Sequence, residues 1–155
     1  MPMDSYSERH VRLEQLMPLI REQLAEGKRI KFSPRGTSML PMLREGLDSV
    51  ILSPLPAKLK KYDLPLYQRE NGQYVLHRIV KTGETYSCVG DNQFALEQGL
   101  RHEQMIGLVT AFCRGKKEIP VTALGYRIYC RAWHYSRPVR RFWRRAIGWL
   151  RKQKQ

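Results

Sequence analysis

The sequence predicts a mainly β fold, an antiparallel β body with an amphipathic helix before it and a basic helical tail after it. Three observations carry this expectation. Short β-prone segments bounded by turn residues fill the centre, Asn71-Gly72 gives a strong hairpin signal between two of them, and the positive charge is concentrated after residue 118.

In chain order, Ser5-Tyr6-Ser7-Glu8 has the spacing of a capping box, and Val11, Leu13, Leu16, Met17, Ile20 and Leu24 then recur at helical intervals until Gly27 offers a stop. Residues 1–28 are therefore expected to form one helix packed on the core, with Pro18 placed to kink it. One helix is too few for a helix-turn-helix DNA reader. The body, 29–123, reads as strands at 29–33, 48–52, 64–69, 74–81, 85–89 and 106–114, with a short return strand at 119–122. Pro54 and Pro56 end the second strand, Glu70-Asn71-Gly72-Gln73 joins the third and fourth, and Thr82-Gly83-Glu84 joins the next pair. No internal repeat or low-complexity segment occurs.

Composition narrows the class. With 155 residues, 42% of them apolar, the chain is long enough for one domain with a hydrophobic core. Cys88, Cys113 and Cys130 are odd in number and form no CxxC pair, which indicates neither a disulfide framework nor a zinc site, so a reducing compartment and no metal or cofactor are expected. The first residues carry no apolar run, and no stretch of 18 apolar residues occurs. The expected location is cytoplasmic, or peripheral at the cytoplasmic membrane, with no signal peptide and no spanning helix. Of the 28 Lys and Arg residues, ten lie from Ile119 onward with no Asp or Glu among them, which leaves 18 basic and 14 acidic residues before that point, out of a net charge of +14. The basicity belongs to the tail.

That tail, 124–155, repeats Tyr126, Tyr129, Ala132, Trp133, Val139, Trp143, Ala146, Ile147 and Leu150 at three- and four-residue spacing, with Arg140, Arg141, Arg144, Arg145 and Arg151 at other positions. Two helices meeting at Pro138 suit this pattern. Three readings follow in order of preference: an apolar stripe packed on the body with solvated arginines, an anionic membrane surface met by 126–155, and, last, nucleic acid, which asks for the charge but not for the stripe. Nothing in the sequence fixes the oligomeric state.

The chemistry centres on Arg35-Gly36-Thr37-Ser38-Met39-Leu40-Pro41. Gly36 would allow a close backbone approach, Met39 and Leu40 would anchor the loop, and Pro41 would preset φ, leaving Ser38 to point outward as a turn former or a nucleophile. In 74–80, period two places Val75, His77 and Ile79 on one face and Leu76, Arg78 and Val80 on the other, so His77 is a core histidine or the general base that a serine hydroxyl needs near neutral pH. Asp91, in the turn Gly90-Asp91-Asn92, is a backbone-capping residue or the acid that orients the imidazole.

Gly36-Thr37-Ser38-Met39-Leu40-Pro41, Asp48 before a strand, Lys61-Tyr62-Asp63 before another, His77-Arg78-Ile79-Val80, Gly90-Asp91-Asn92 and Ile106-Gly107 together resemble, in order and spacing, the boxes of the S24/S26 serine peptidases, which include type I signal peptidases and LexA-like self-cleaving proteins. The resemblance covers about residues 32–114. It implies a LexA/signal-peptidase-like antiparallel β fold and a serine endopeptidase acting on a peptide or protein precursor, with Ser38 as nucleophile. His77 stands where most bacterial members carry a lysine, as in signal peptidases of the endoplasmic-reticulum type. In those relatives an acidic pair follows the Gly-Asp-Asn turn, and its second member falls at Glu97, so the orienting acid is Asp91 or Glu97. Signal peptidases usually have a serine where this chain has Gly36, which shifts oxyanion binding toward the backbone N–H of Ser38. The alternative is a non-catalytic family member that binds membrane or a partner through its tail. A LexA-like self-cleaving regulator ranks third, because the chain has one N-terminal helix and no lysine at the base position.

Overall fold

The computed structural model describes residues 13–153. It is mostly antiparallel β sheet with three helices. The capping box at Ser5 to Glu8 lies outside the described residues. Helix α1 (Leu13–Ala25) runs through Pro18 without interruption and buries Met17, Ile20 and Leu24 against the body. It stops at Gly27, whose φ of +78° suits glycine at a helix end.

Strands β1 (Ile30–Phe32), β2 (Asp48–Ser53), β3 (Pro65–Gln68), β4 (Tyr74–Leu76), β8 (Met105–Arg114) and β9 (Lys117–Pro120) form one sheet. Its spine is β8, which pairs with β2 on one side and, on the other, with β3 near its start and β9 near its end. Beyond β3, β4 is the edge strand. Strands β5 (Arg78–Lys81), β6 (Tyr86–Val89) and β7 (Glu97–Leu100) form a second sheet in that order.

Two differences from the sequence reading bear on the site. The expected strand at 74–81 is two strands in two sheets, and the chain crosses between them at His77. The alternation survives the crossing. Leu76 packs in the core shared by α1, the first sheet and the loop after β1, whereas Val75 and Ile79 pack with Tyr67, Cys88 and Met105 between the sheets. Strand β7 was not expected, because Glu97-Gln98-Gly99-Leu100 holds one large apolar residue and a glycine with φ of +71°.

The tail forms α2 (Leu124–Tyr135) and α3 (Arg137–Lys152), with Pro138 in the first turn of α3, where its missing N–H costs nothing. Helix α2 packs as expected, burying Tyr126 and Cys130 in the first core. Helix α3 does not. It buries no residue, and Val139, Phe142, Trp143, Ile147, Trp149 and Leu150 are all exposed, which corrects the expectation of a stripe packed on the body.

Candidate active site

The loop from β1 to β2 carries Ser38. Its inner side is apolar, with Met39, Met42 and Leu43 buried in the first core and Leu40 half-buried. Its end is closed by Asp48, buried at the start of β2, which accepts from the backbone N–H of Arg44 at 2.9 Å and from that guanidinium at 2.9 and 3.0 Å. Gly36 has φ of +89°, but a Cβ there would meet nothing within 4 Å, so the loop needs its left-handed backbone and not the close approach expected from the sequence. The close approach is at Gly90, where a Cβ would stand 2.6 Å from the carbonyl oxygen of Ser38. With the loop pinned at both ends, Ser38 lines a cleft of about 250 Å³ together with His77, Arg35, Tyr74 and Val75.

His77 is buried, and its Nδ1 lies 3.4 Å from the hydroxyl of Tyr67 and 3.4 Å from Oε1 of Glu97. A carboxylate on that side favours the tautomer with the proton on Nδ1, leaving the Nε2 lone pair as acceptor. Burial pushes the imidazole pKa below its ordinary value, Glu97 pulls it up by a lesser amount, and the neighbouring Arg69 pushes it down again. The ring is therefore neutral near pH 7, as a general base must be. Among the described residues no hydrogen bond joins Ser38 to His77; such contacts are often long without substrate and tighten when it binds.

The two candidate acids separate clearly. Glu97, at the start of β7, stands beside His77 and also holds Arg69, whose Nε donates to both carboxylate oxygens at 3.1 and 3.0 Å and whose Nη2 donates to Oε1. Burial raises the Glu97 carboxyl, but the Arg69 hydrogen bonds and charge outweigh it and hold the group below the usual carboxylate range. Asp91 is wholly buried elsewhere, accepting from Arg78 Nε and Nη2 at 2.8 Å each and from the Tyr129 hydroxyl at 2.9 Å. Its partner is the residue after His77, not His77 itself.

Asp91 still bears on Ser38 through its turn. The N–H of Asn92 donates to the Ser38 carbonyl at 2.8 Å and its side-chain amide to the Thr37 carbonyl at 3.1 Å. The turn is held in place by the C-terminal helices. Trp133 Nε1 donates to the Asp91 carbonyl at 2.7 Å, and Arg144 Nη2 donates to Oδ1 of Asn92 at 2.6 Å. The tail thus supports the turn that supports the serine loop.

Tyr67, Arg69 and Arg78 were not singled out as site residues from the sequence. Strand register was the signal that could have found Tyr67 and Arg78. Tyr67 pairs with Val75, two residues before His77, and Arg78 pairs with Val89, two residues before Asp91, so each contact is a same-face diagonal across adjacent strands. Among the described residues no group of His, Cys, Asp and Glu could hold a metal ion, and no helix is long and apolar enough to cross a membrane. No family model, curated protein or solved structure matches the chain.

Proposed function

We propose that the protein is a serine endopeptidase of the signal-peptidase-like kind, built on a LexA/signal-peptidase-like β fold and cleaving a peptide or protein precursor. One observation carries the reading: Ser38 and His77, on different elements far apart in the chain, line one cleft, with Glu97 beside the imidazole.

In this mechanism the Ser38 hydroxyl attacks the scissile carbonyl while Nε2 of His77 takes its proton. The imidazolium is stabilised by Glu97 and returns the proton to the leaving amine, giving an acyl-enzyme and a free amino terminus. Water then attacks the ester with His77 again as base, releasing the carboxylate product and restoring Ser38. The backbone N–H of Ser38 is the candidate oxyanion donor, since Gly36 has no side chain to contribute. Glu97 is a positioning residue in this scheme, and Asp91 is a support for the turn.

The edge strand supports a peptide as substrate. Strand β4 ends the first sheet, and Tyr74, Val75 and Leu76 all line the cleft, so an extended chain can add to that edge and carry its scissile bond toward Ser38. Small side chains before the cut remain what the family resemblance implies.

The test is hydrolysis of a fluorogenic peptide library, paired with labelling by a fluorophosphonate. Ser38→Ala and His77→Ala should each lower turnover by roughly 10⁴-fold or more while the protein stays folded, with Ser38→Ala melting near the unaltered protein. Undiminished hydrolysis by folded Ser38→Ala would exclude this reading.

A further inference from the structure

Helix α3 is amphipathic in an unusual orientation. At about 100° per residue, Val139, Phe142, Trp143, Ala146, Ile147, Trp149 and Leu150 fall within an arc of about 160°, and every Lys and Arg of the helix falls in the remainder. A helix of this kind ordinarily turns its apolar arc to the protein. Here one edge of the basic side, Arg140 and Arg144, meets the protein. Arg140 Nη1 donates to the Asp91 carbonyl at 3.3 Å, Arg144 to Asn92, and both guanidinium groups lie over the ring of Phe94, at 5.8 and 5.3 Å from its centre. The apolar arc is left outward, with Trp143 and Trp149 each 61% exposed and Phe142 70% exposed.

Beside this face lies a groove of about 750 Å³ between α3 and the second sheet. Lys81, Arg137, Arg141 and Arg145 line it together with Phe94 and Phe142, and among the described residues its lining holds no carboxylate. Arg137 Nε and His134 Nδ1 are shielded from solvent there without hydrogen-bond partners. Cations bordering an outward aromatic face are the arrangement of a helix lying in a bilayer interface, where Trp and Phe enter the acyl boundary and Arg meets lipid phosphate. A polyanion such as RNA would meet the charge but leave the aromatic arc in water.

We infer that α3 and its bordering groove form a docking surface for an anionic phospholipid bilayer, with the apolar arc seated in the interface and Arg141 and Arg145 on lipid phosphates. Arg140 and Arg144, on the protein side, then tie the membrane-bound helix to the turn under Ser38. Docking does not depend on the peptidase reading, so Ser38→Ala should bind as the unaltered protein does.

The experiment is co-sedimentation of the full chain with vesicles of mixed phosphatidylglycerol and phosphatidylcholine, or of phosphatidylcholine alone, with tryptophan emission as a second readout. Binding to the anionic vesicles, a blue shift in emission and loss of binding at high salt are expected. Trp143→Glu combined with Ile147→Glu should abolish both signals. The milder Arg141→Gln with Arg145→Gln should weaken binding by roughly thirtyfold, about fivefold for each cation removed. Circular dichroism verifies that each variant is folded. Absence of binding by the folded protein at low salt, full binding by the Trp143→Glu, Ile147→Glu variant, or equal affinity for both vesicle types would overturn the inference. So would a vesicle-free dimer that shields Trp143 from acrylamide, since a second copy would then occupy the face.

Discussion

His77 and Arg78 are neighbours in the chain, face opposite cores, and are treated in opposite ways. Arg78 is fully buried, and its guanidinium is matched on every side: Asp91 takes two bonds, and the Tyr62 carbonyl and Tyr126 hydroxyl take two more at 3.1 and 2.8 Å. His77 is nearly as buried but loosely held, with two Nδ1 contacts at 3.4 Å and an acid shared with Arg69. Saturated pairing fixes a position; incomplete pairing leaves a nitrogen able to change protonation state. Under the proposed mechanism, the contrast separates the support from the chemistry.

The sharpest way to break the contrast is to remove a partner from each side. Asp91→Asn leaves a buried guanidinium without a counter-charge, and such losses cost about 3–5 kcal/mol. Urea denaturation should show a fall of that order, and Met42, Tyr126 and Cys130, which surround Arg78, should lose their fixed packing with it. A drop below about 1 kcal/mol would mean that Arg78 finds other partners or water, and the pair would not be the brace described above.

Glu97→Gln is the counterpart on the His77 side. The carboxylate is partly exposed, so its loss should change stability by no more than about 1 kcal/mol. Its effect belongs to turnover, with a fall of roughly 10²–10⁴-fold expected if the imidazole loses its tautomer and orientation. Glu97 also raises the His77 pKa, so its removal should move the acid limb of the rate profile to lower pH. A variant with full activity and an unmoved limb would return Glu97 to a purely structural pairing with Arg69.

The same contrast marks what the sequence made legible. Ser38 and His77 were visible as candidates because a Gly/Pro-bounded serine and an imidazole inside an apolar run depart from local rules, and the alternation of 74–80 predicted which residues share each face. The hairpin at Asn71-Gly72 fixed the register that brings Tyr67 near His77. The choice between Asp91 and Glu97 was hidden, since it depends on β7, a strand whose sequence has almost no apolar alternation and is defined by pairing with β6. The outward turn of α3 was hidden too. Periodicity gives the presence of an apolar face but not the direction it takes, and here two arginine contacts with the Asp91-Asn92 turn set it.

The smallest effect expected, and the most specific, concerns Arg69. Its charge lowers the His77 pKa directly, and its hydrogen bonds to both carboxylate oxygens hold Glu97 ionised and shared between two partners. Protonated His77 cannot accept the Ser38 proton, so activity should rise with pH through the imidazole titration, and that titration should lie below the ordinary value of 6.5 because burial dominates. Arg69→Gln removes a nearby positive charge and frees the carboxylate for the imidazole, and both changes favour the imidazolium. The acid limb should therefore move to higher pH in Arg69→Gln and to lower pH in Glu97→Gln, with the unaltered protein between them. Opposite displacements in kcat/KM profiles measured on the three proteins would identify the titrating group as His77. Displacement in the same direction would assign the limb to another group.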